Sequence, residues 1–516
     1  MSGTPQDLET ECDVLVVGSG AGALTGAYAA AARGLDTTVI ERTALFGGTS
    51  AYSGAACWLP GSRVQSRAGA GDSTELARAY LRALLGEETA DRQDAFVAYA
   101  PAVVDLLEQN PDIAFAWQAF PDYFAAPGRL DRGRSIVPVD LPAEALGELL
   151  PLVRPAVDRD RAGLGQPGTP LTAGRALIGR LLLALTGTGR ATLRTRTSLR
   201  SLVVEDGRVV GVRAESEGRT VTLRARRGVL LAAGGFERDA AMRTEEGVPG
   251  DASWSMAPGG SNTGAPIRAA VAAGAATALM DEGWFCPAAE GPDGAVSFVL
   301  GLHGGLFTDA SGVRFANESL PYDRMGRAMA ADPAGRIPAH FVFDSREEGA
   351  LPAIAVPGLD PGACLESGVW VRADTVDELA HRIGVPAAAL GRTVEEFNAS
   401  ARSGTDQAFH RGEDPYDLFF AGPAPDGVPN PCLRPLDRPP YYAARIVLGD
   451  LGTKGGLRTD TDARVLRADG SAIEGLYAAG NTAASLSGSV YPGPGIPLGT
   501  AMTFAALAVR HLSGGV

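Results

Sequence analysis

Val14-Leu15-Val16-Val17 is an unbroken apolar run, and a continuous rather than alternating pattern predicts a strand buried on both faces. Gly18-Ser19-Gly20-Ala21-Gly22-Ala23 follows. The small apolar residues from Leu24 to Ala31 then read as a helix, and Thr37-Thr38-Val39-Ile40 reads as a second strand that ends at Glu41. Residues 1–10 read as a polar tail. Over 72–110 the spacing is helical: Leu76, Tyr80 and Leu84 form one stripe, and Phe96, Tyr99, Val103 and Leu107 another. Asp72 with Glu75 resembles a capping box at its start. Phe115, Trp117, Phe120, Pro121, Asp122, Tyr123 and Phe124 then crowd an irregular stretch, where aromatics either fill core or wall an apolar pocket.

Residues 171–186 read as a buried helix. The alternating segments 202–204, 209–212 and 221–223 predict an antiparallel meander that returns through Val229-Leu230-Leu231 to a parallel strand and the turn Ala233-Gly234-Gly235. From Gly283 onward periodicity fades until a helical patch at 375–402. Gly475-Leu476-Tyr477-Ala478 predicts a last strand running into Ala479-Gly480-Asn481, and an apolar helix spans 500–512. The fold class expected is α/β: a Rossmann-like domain with a parallel sheet and β-meander over 1–283 and 445–516, and an inserted α+β substrate domain over 284–444.

The 516 residues exceed one compact core, in keeping with two domains. A net charge of −14 argues against nucleic acid and anionic membranes as partners. No apolar run is long enough to span a bilayer, and the start lacks a signal-peptide layout. Cys12, Cys57, Cys286, Cys364 and Cys432 are scattered without a CxxC, so no metal or disulfide framework is expected and a cytoplasmic setting fits; peripheral membrane association stays open for an enzyme of apolar substrates. Of the 46 basic residues only Lys454 is a lysine, so a lysine-based mechanism has one candidate.

Strand, glycine turn, helix, strand and acid in that order form a dinucleotide fingerprint, with Ala23 at the third glycine position. Glycines let a pyrophosphate approach the helix N-terminus, where free N–H groups and the helix dipole meet its charge. Glu41 is placed to accept hydrogen bonds from a ribose. The small and hydroxylated residues of Gly47-Gly48-Thr49-Ser50-Ala51-Tyr52-Ser53-Gly54 suit a backbone that lies against phosphate or a flat ring.

With these segments in order, the chain resembles the flavoprotein subunits of succinate dehydrogenase and fumarate reductase, and within that family the bacterial 3-ketosteroid Δ1-dehydrogenases. The resemblance covers nearly the whole chain. The selective motifs are Phe120-Pro121-Asp122-Tyr123, Asn317-Glu318-Ser319-Leu320-Pro321-Tyr322, Gly452-Thr453-Lys454-Gly455-Gly456 and Gly488-Ser489-Val490-Tyr491-Pro492-Gly493-Pro494-Gly495. It implies non-covalent FAD held by Gly18, Ser19, Gly20, Ala21, Gly22, Ala23, Glu41 and Arg42, and by Gly48, Thr49, Ser50, Ser53 and Gly54. It adds Leu199, Ala233, Gly234, Gly480, Asn481, Pro497 and Leu498 to that set. It further implies 1,2-desaturation of a 3-ketosteroid in steroid degradation, with Tyr322 as base, Tyr123 its support, Tyr491 and the Gly495 N–H on the ketone oxygen, and an external electron acceptor. Ala265 and Ile496-Pro497 depart from the pattern common beside the flavin. Three other readings remain: a 3-ketosteroid Δ4-(5α)-dehydrogenase, which lacks the full tyrosine set; a fumarate-reductase-like enzyme, for which only His303 lies in a glycine-rich setting; and a flavin- and steroid-binding protein without turnover.

Overall fold

The computed structural model describes residues 8–424 and 427–515. Residues 1–7 of the expected tail lie outside the described residues. Leu8-Glu9-Thr10 begin a strand, Leu8–Val17, rather than a tail. The polar residues there are explained by pairing: Glu9 and Glu11 meet Arg224 and Arg226 on the neighbouring strand, so alternate positions form cross-strand ion pairs.

Two compact units are present. One comprises residues up to Gly247, Ala257–Gly283 and Gly452 onward; the other comprises Val248–Met256 and Trp284–Leu451. The return expected at 445 falls inside the strand Tyr441–Thr453, which pairs with Ala339–Asp344 and Trp370–Ala373, so the chain stays with the second unit to Leu451. Val248–Met256 joins that unit because the Met256 N–H and the Ser255 hydroxyl both donate to Asp450, at 2.9 and 2.7 Å.

In the first unit, Leu8–Val17 lies between Thr37–Ile40 and Arg219–Leu231, all parallel, with Ala191–Arg194 beyond one and Ala472–Ala478 beyond the other. The meander Thr197–Glu205, Arg208–Ser216 and Arg219–Leu231 is antiparallel, and its last strand is the one that enters the parallel sheet. The helix Ala21–Ala31 is buried on every side. Its glycines explain this: a Cβ on Gly22 would lie 2.9 Å from the Ala501 methyl of the last helix, and one on Gly26 would lie 2.6 Å from Leu230 of the sheet. The last helix begins at Ile496, not at 500, because Pro497 sits in its first turn, where the missing N–H costs nothing.

The helical region 72–110 is two helices, Thr74–Leu85 and Ala90–Glu108. Ser73 caps the first by accepting from the Leu76 N–H at 3.2 Å, while Asp72 turns inward to an arginine. Part of the aromatic stretch is regular, since Phe115–Gln118 pairs with Ser135–Pro138, which also pairs with Cys57–Trp58.

The second unit is an antiparallel sheet, with the helices Val376–Ile383 and Ala387–Ser403 packed on it through Leu306, Val342, Leu379, Leu390 and Phe397. It also contains a helix absent from the pattern reading, Tyr322–Ala330, too short to declare a period in the sequence.

Candidate functional site

The glycine turn closes the first strand and opens the buried helix at Ala21, with Gly20 as its cap. Ser19 donates to Glu41 at 2.6 Å and accepts the Gly47 N–H at 3.0 Å, so one hydroxyl ties the turn, the acid and the second loop together. Ser50 accepts the Ala21 N–H at 3.1 Å, within the short helix Gly48–Tyr52. Glu41 also accepts from the Thr43 N–H and hydroxyl at 2.7 and 2.9 Å. Its backbone carbonyl takes the Thr197 N–H, which places the buried Leu199 two residues farther along the same strand. Arg42 donates to Thr263 at 3.1 Å, beside the helix that Ala265 opens.

Ser53 accepts the Gly174 N–H through its carbonyl at 2.9 Å, which packs the Gly48–Gly54 loop on the helix Ala173–Gly187. Across the sheet, the Thr482 hydroxyl accepts the Ala233 N–H at 2.9 Å and donates to the Gly234 carbonyl at 2.8 Å. Thr482 thus joins the turn after the meander to Gly480 and Asn481. Pro497 and Leu498 occupy the first turn of the final helix, whose Ala501 lies against Gly22. The glycine turn, Glu41, Ala233 and Gly480 follow the carboxyl ends of parallel strands, where open α/β sheets bind nucleotides.

FAD fits these residues. The Thr49 hydroxyl is buried without a hydrogen-bond partner among the described residues, and Gly48 and Gly54 face space free of heavy atoms within 4 Å. A loop with an unused buried hydroxyl beside two open glycines suits a polar ligand pressed against its backbone.

The first unit also assembles Tyr123, Tyr491 and Gly495. The rings of Tyr123 and Tyr491 lie 5.3 Å apart, and Phe120 packs edge-on to Tyr123 at 6.2 Å. The Tyr123 N–H donates to the Pro492 carbonyl at 2.9 Å, and that carbonyl also accepts the Tyr80 hydroxyl at 2.7 Å. Burial, then the nearby Asp122 charge, push the Tyr80 hydroxyl well above its ordinary range, which keeps it a donor. Beneath lies a buried ion network: Arg134 donates to Asp122 at 2.8 Å and to Asp72 at 2.7 Å, and the Trp58 indole donates to Asp122 at 2.9 Å. The Ser135 hydroxyl holds the Pro494 carbonyl at 2.6 Å, and the Trp58 N–H the Gly495 carbonyl at 3.1 Å. Gly495 has φ +88°, and a Cβ there would collide with the Ala56 carbonyl, so only glycine brings this N–H into the turn.

Tyr322 lies in the second unit, at the first position of its helix, with Phe298 edge-on at 4.9 Å. Its motif is anchored by polar residues. Glu318, fully buried, pairs with Arg314 at 2.7 Å and Arg411 at 2.9 Å; Asn317 donates to Asp417 at 2.9 Å; and Ser319 accepts from Arg411 at 3.0 Å. The His303 ring meets the Gly301 carbonyl through Nδ1 at 3.0 Å, a local contact within its own turn.

Sequence reasoning missed Trp58, Tyr80, Arg134, Arg411 and Thr482. Their partners lie far along the chain, so no local spacing betrays them; only Thr482, a hydroxyl directly after the Gly-Asn turn, carried a local hint.

The family model described as "FAD binding domain" matches residues 13–498. A 3-oxosteroid 1-dehydrogenase of Rhodococcus opacus is 46% identical over 516 aligned positions, covering 98% of this chain and 100% of the relative. One from Mycobacterium tuberculosis is 39% identical, covering 98% of each. Among solved structures, the 3-ketosteroid Δ1-dehydrogenase of Sterolibacterium denitrificans in complex with 1,4-androstadiene-3,17-dione superposes with a TM-score of 0.89 at 35% identity, covering 98% of this chain and 100% of that one.

Proposed function

This chain belongs to the FAD-binding family of the 3-oxosteroid 1-dehydrogenases, and from that premise we propose that it introduces the 1,2 double bond into a 3-ketosteroid. It is an FAD-dependent oxidoreductase acting on a CH–CH pair. The reaction removes a proton from C2 and a hydride from C1, and FAD, when bound, supplies the hydride acceptor at flavin N5.

The chain's own residues handle the proton and the ketone. The C2 proton becomes acidic only if negative charge on the C3 oxygen is stabilised, so donors must face that oxygen. Tyr491 and the Gly495 N–H are those donors. The observation that carries this reading is their shared turn, held rigidly by Trp58, Ser135, Tyr80 and the backbone of Tyr123. Tyr322 takes the C2 proton, and Tyr123 supports it. A tyrosine, with an unperturbed pKa of about 10, needs such help to act as a base. Its place at the opening of a nine-residue helix supports the role, since that end favours negative charge. Phe298, packed edge-on to Tyr322, is an apolar neighbour that suits a steroid better than a dicarboxylate.

Repeated turnover requires an external electron acceptor, because the electron pair taken from each steroid must leave the protein. No helix among the described residues is long and apolar enough to cross a membrane. All five cysteines are free and buried, which supports a cytoplasmic setting. Turnover of androst-4-ene-3,17-dione with an artificial acceptor, with the product identified by mass and ultraviolet spectrum, tests the assignment: the 1,4-diene is expected, and its absence overturns it.

A further inference from the structure

Lys454 is the one lysine among 46 basic residues, and it is fully buried. Its surroundings hold it in a fixed place. The Lys454 N–H donates to the Glu282 carbonyl at 2.8 Å, and its carbonyl accepts the Ser485 N–H at 3.0 Å, so its backbone is fixed on both sides. Gly455 and Gly456 follow, and a Cβ on the latter would lie 2.6 Å from the Thr482 carbonyl oxygen. The segment after Lys454 is therefore packed backbone to backbone, which fixes where the lysine side chain starts.

The ammonium has a defined target. Nζ donates to the Val490 carbonyl at 3.0 Å, and the Ser487 hydroxyl donates to the same oxygen at 2.8 Å. The Val490 N–H in turn donates to the Ser487 carbonyl at 2.9 Å. Val490 precedes Tyr491, so the peptide that carries Tyr491 is clamped through its oxygen by a positive charge. Hydrogen bonds to a charged group are roughly twice as strong as neutral ones, and burial strengthens them further.

We propose that Lys454 is a positioning residue for the ketone-binding turn: its ammonium fixes the Val490–Tyr491 peptide and so sets where the Tyr491 hydroxyl stands relative to the Gly495 N–H. This rests on the reading of Tyr491 as a ketone donor given above. The proton and hydride steps are unchanged, and Lys454 itself transfers nothing. Lysine in this role lowers the barrier by holding a donor where charge develops, an effect seen in kcat rather than in substrate affinity.

A double-mutant cycle on the FAD-loaded enzyme tests it, with K454M, Y491F and the two combined, read as anaerobic flavin-reduction rates with androst-4-ene-3,17-dione. K454M is expected to slow reduction about 10- to 100-fold with little change in half-saturating steroid. The double variant is expected to be no slower than Y491F alone. Losses that multiply would place the action of Lys454 elsewhere and overturn the proposal, as would a K454M rate equal to wild type beside a slow Y491F. A Y491F rate equal to wild type would instead remove the ketone-donor reading. Because there is a single lysine, the wild-type protein gives a second test that needs no variant. Amine-reactive labelling of the native holoenzyme followed by peptide mass analysis is expected to leave Lys454 unmodified until the protein is denatured. Labelling of native Lys454 at the rate of a free lysine peptide would overturn the buried clamp even if K454M fails to fold.

Discussion

The Tyr123 N–H donates to the Pro492 carbonyl at 2.9 Å, so the backbone of one family tyrosine is bonded to the residue directly after another, Tyr491. Their rings stand 5.3 Å apart. Two motifs separated by more than 360 residues in sequence are thus one rigid piece, and the chemistry assigned to them depends on that rigidity.

Removing the base should stop the reaction without emptying the protein of flavin. Tyr322→Phe is expected to lower kcat by about 10²- to 10⁴-fold, the range general-base catalysis supplies. Its flavin absorbance should match the wild type, since Tyr322 lies outside the dinucleotide turn. Wild-type turnover in this variant would take the base role from Tyr322.

The ketone site has a steric test. Gly495→Ala places a methyl against the Ala56 carbonyl at a residue with φ +88°, so the turn must shift. Rates are expected to fall by about 10²-fold or more, the cost of one misplaced oxyanion donor. Steady-state kinetics of this variant beside Tyr491→Phe would show whether both act on one step; unchanged rates in both would remove the turn from the mechanism.

The buried network beneath that turn makes a stability prediction. Arg134→Met leaves the carboxylates of Asp122 and Asp72 buried without their cation. A loss of about 3–5 kcal/mol is expected, measured by denaturant unfolding of the holoenzyme. A conservative surface change such as Arg200→Met, whose partner Glu215 is exposed, should cost less than about 1 kcal/mol. Equal losses would show that the network does not anchor the turn.

The second unit has its own pH response. Burial lowers the His340 pKa to about 4, in the strand that pairs with Gly305–Thr308 and Tyr441–Thr453. Between about pH 6.5 and 4 the unfolded chain binds a proton here that the folded chain does not, so stability falls as pH falls through that window. The slope from this group is at most about 1.4 kcal/mol per pH unit, less what partial exposure screens. His340→Phe should flatten that part of the stability curve, and an unaltered curve would assign the acid response to other groups.

The legible parts of the chain were those whose partners are near in sequence. The run Val14–Val17, the glycine turn and Glu41 declare themselves because strand, turn and acid follow within 30 residues. Asp72 misled as a cap because a carboxylate before a helix looks the same whether it caps locally or turns inward to Arg134. The last helix begins at Ile496, four residues before the apolar pattern declares it, because proline is well tolerated in a first turn. Asn317, Glu318 and Ser319 stood out only through resemblance. Their physical role, holding Asp417 and Arg411, depends on partners over 90 residues away.

The most direct measurement is an anaerobic one. The flavin-loaded protein is mixed with androst-4-ene-3,17-dione without any electron acceptor, flavin absorbance is followed, and the steroid is extracted and identified. Bleaching of the flavin with one equivalent of the 1,4-diene is the predicted result. A flavin that stays oxidised in the presence of bound steroid would contradict the 1,2-desaturation on which the roles of Tyr322, Tyr491 and Gly495 rest.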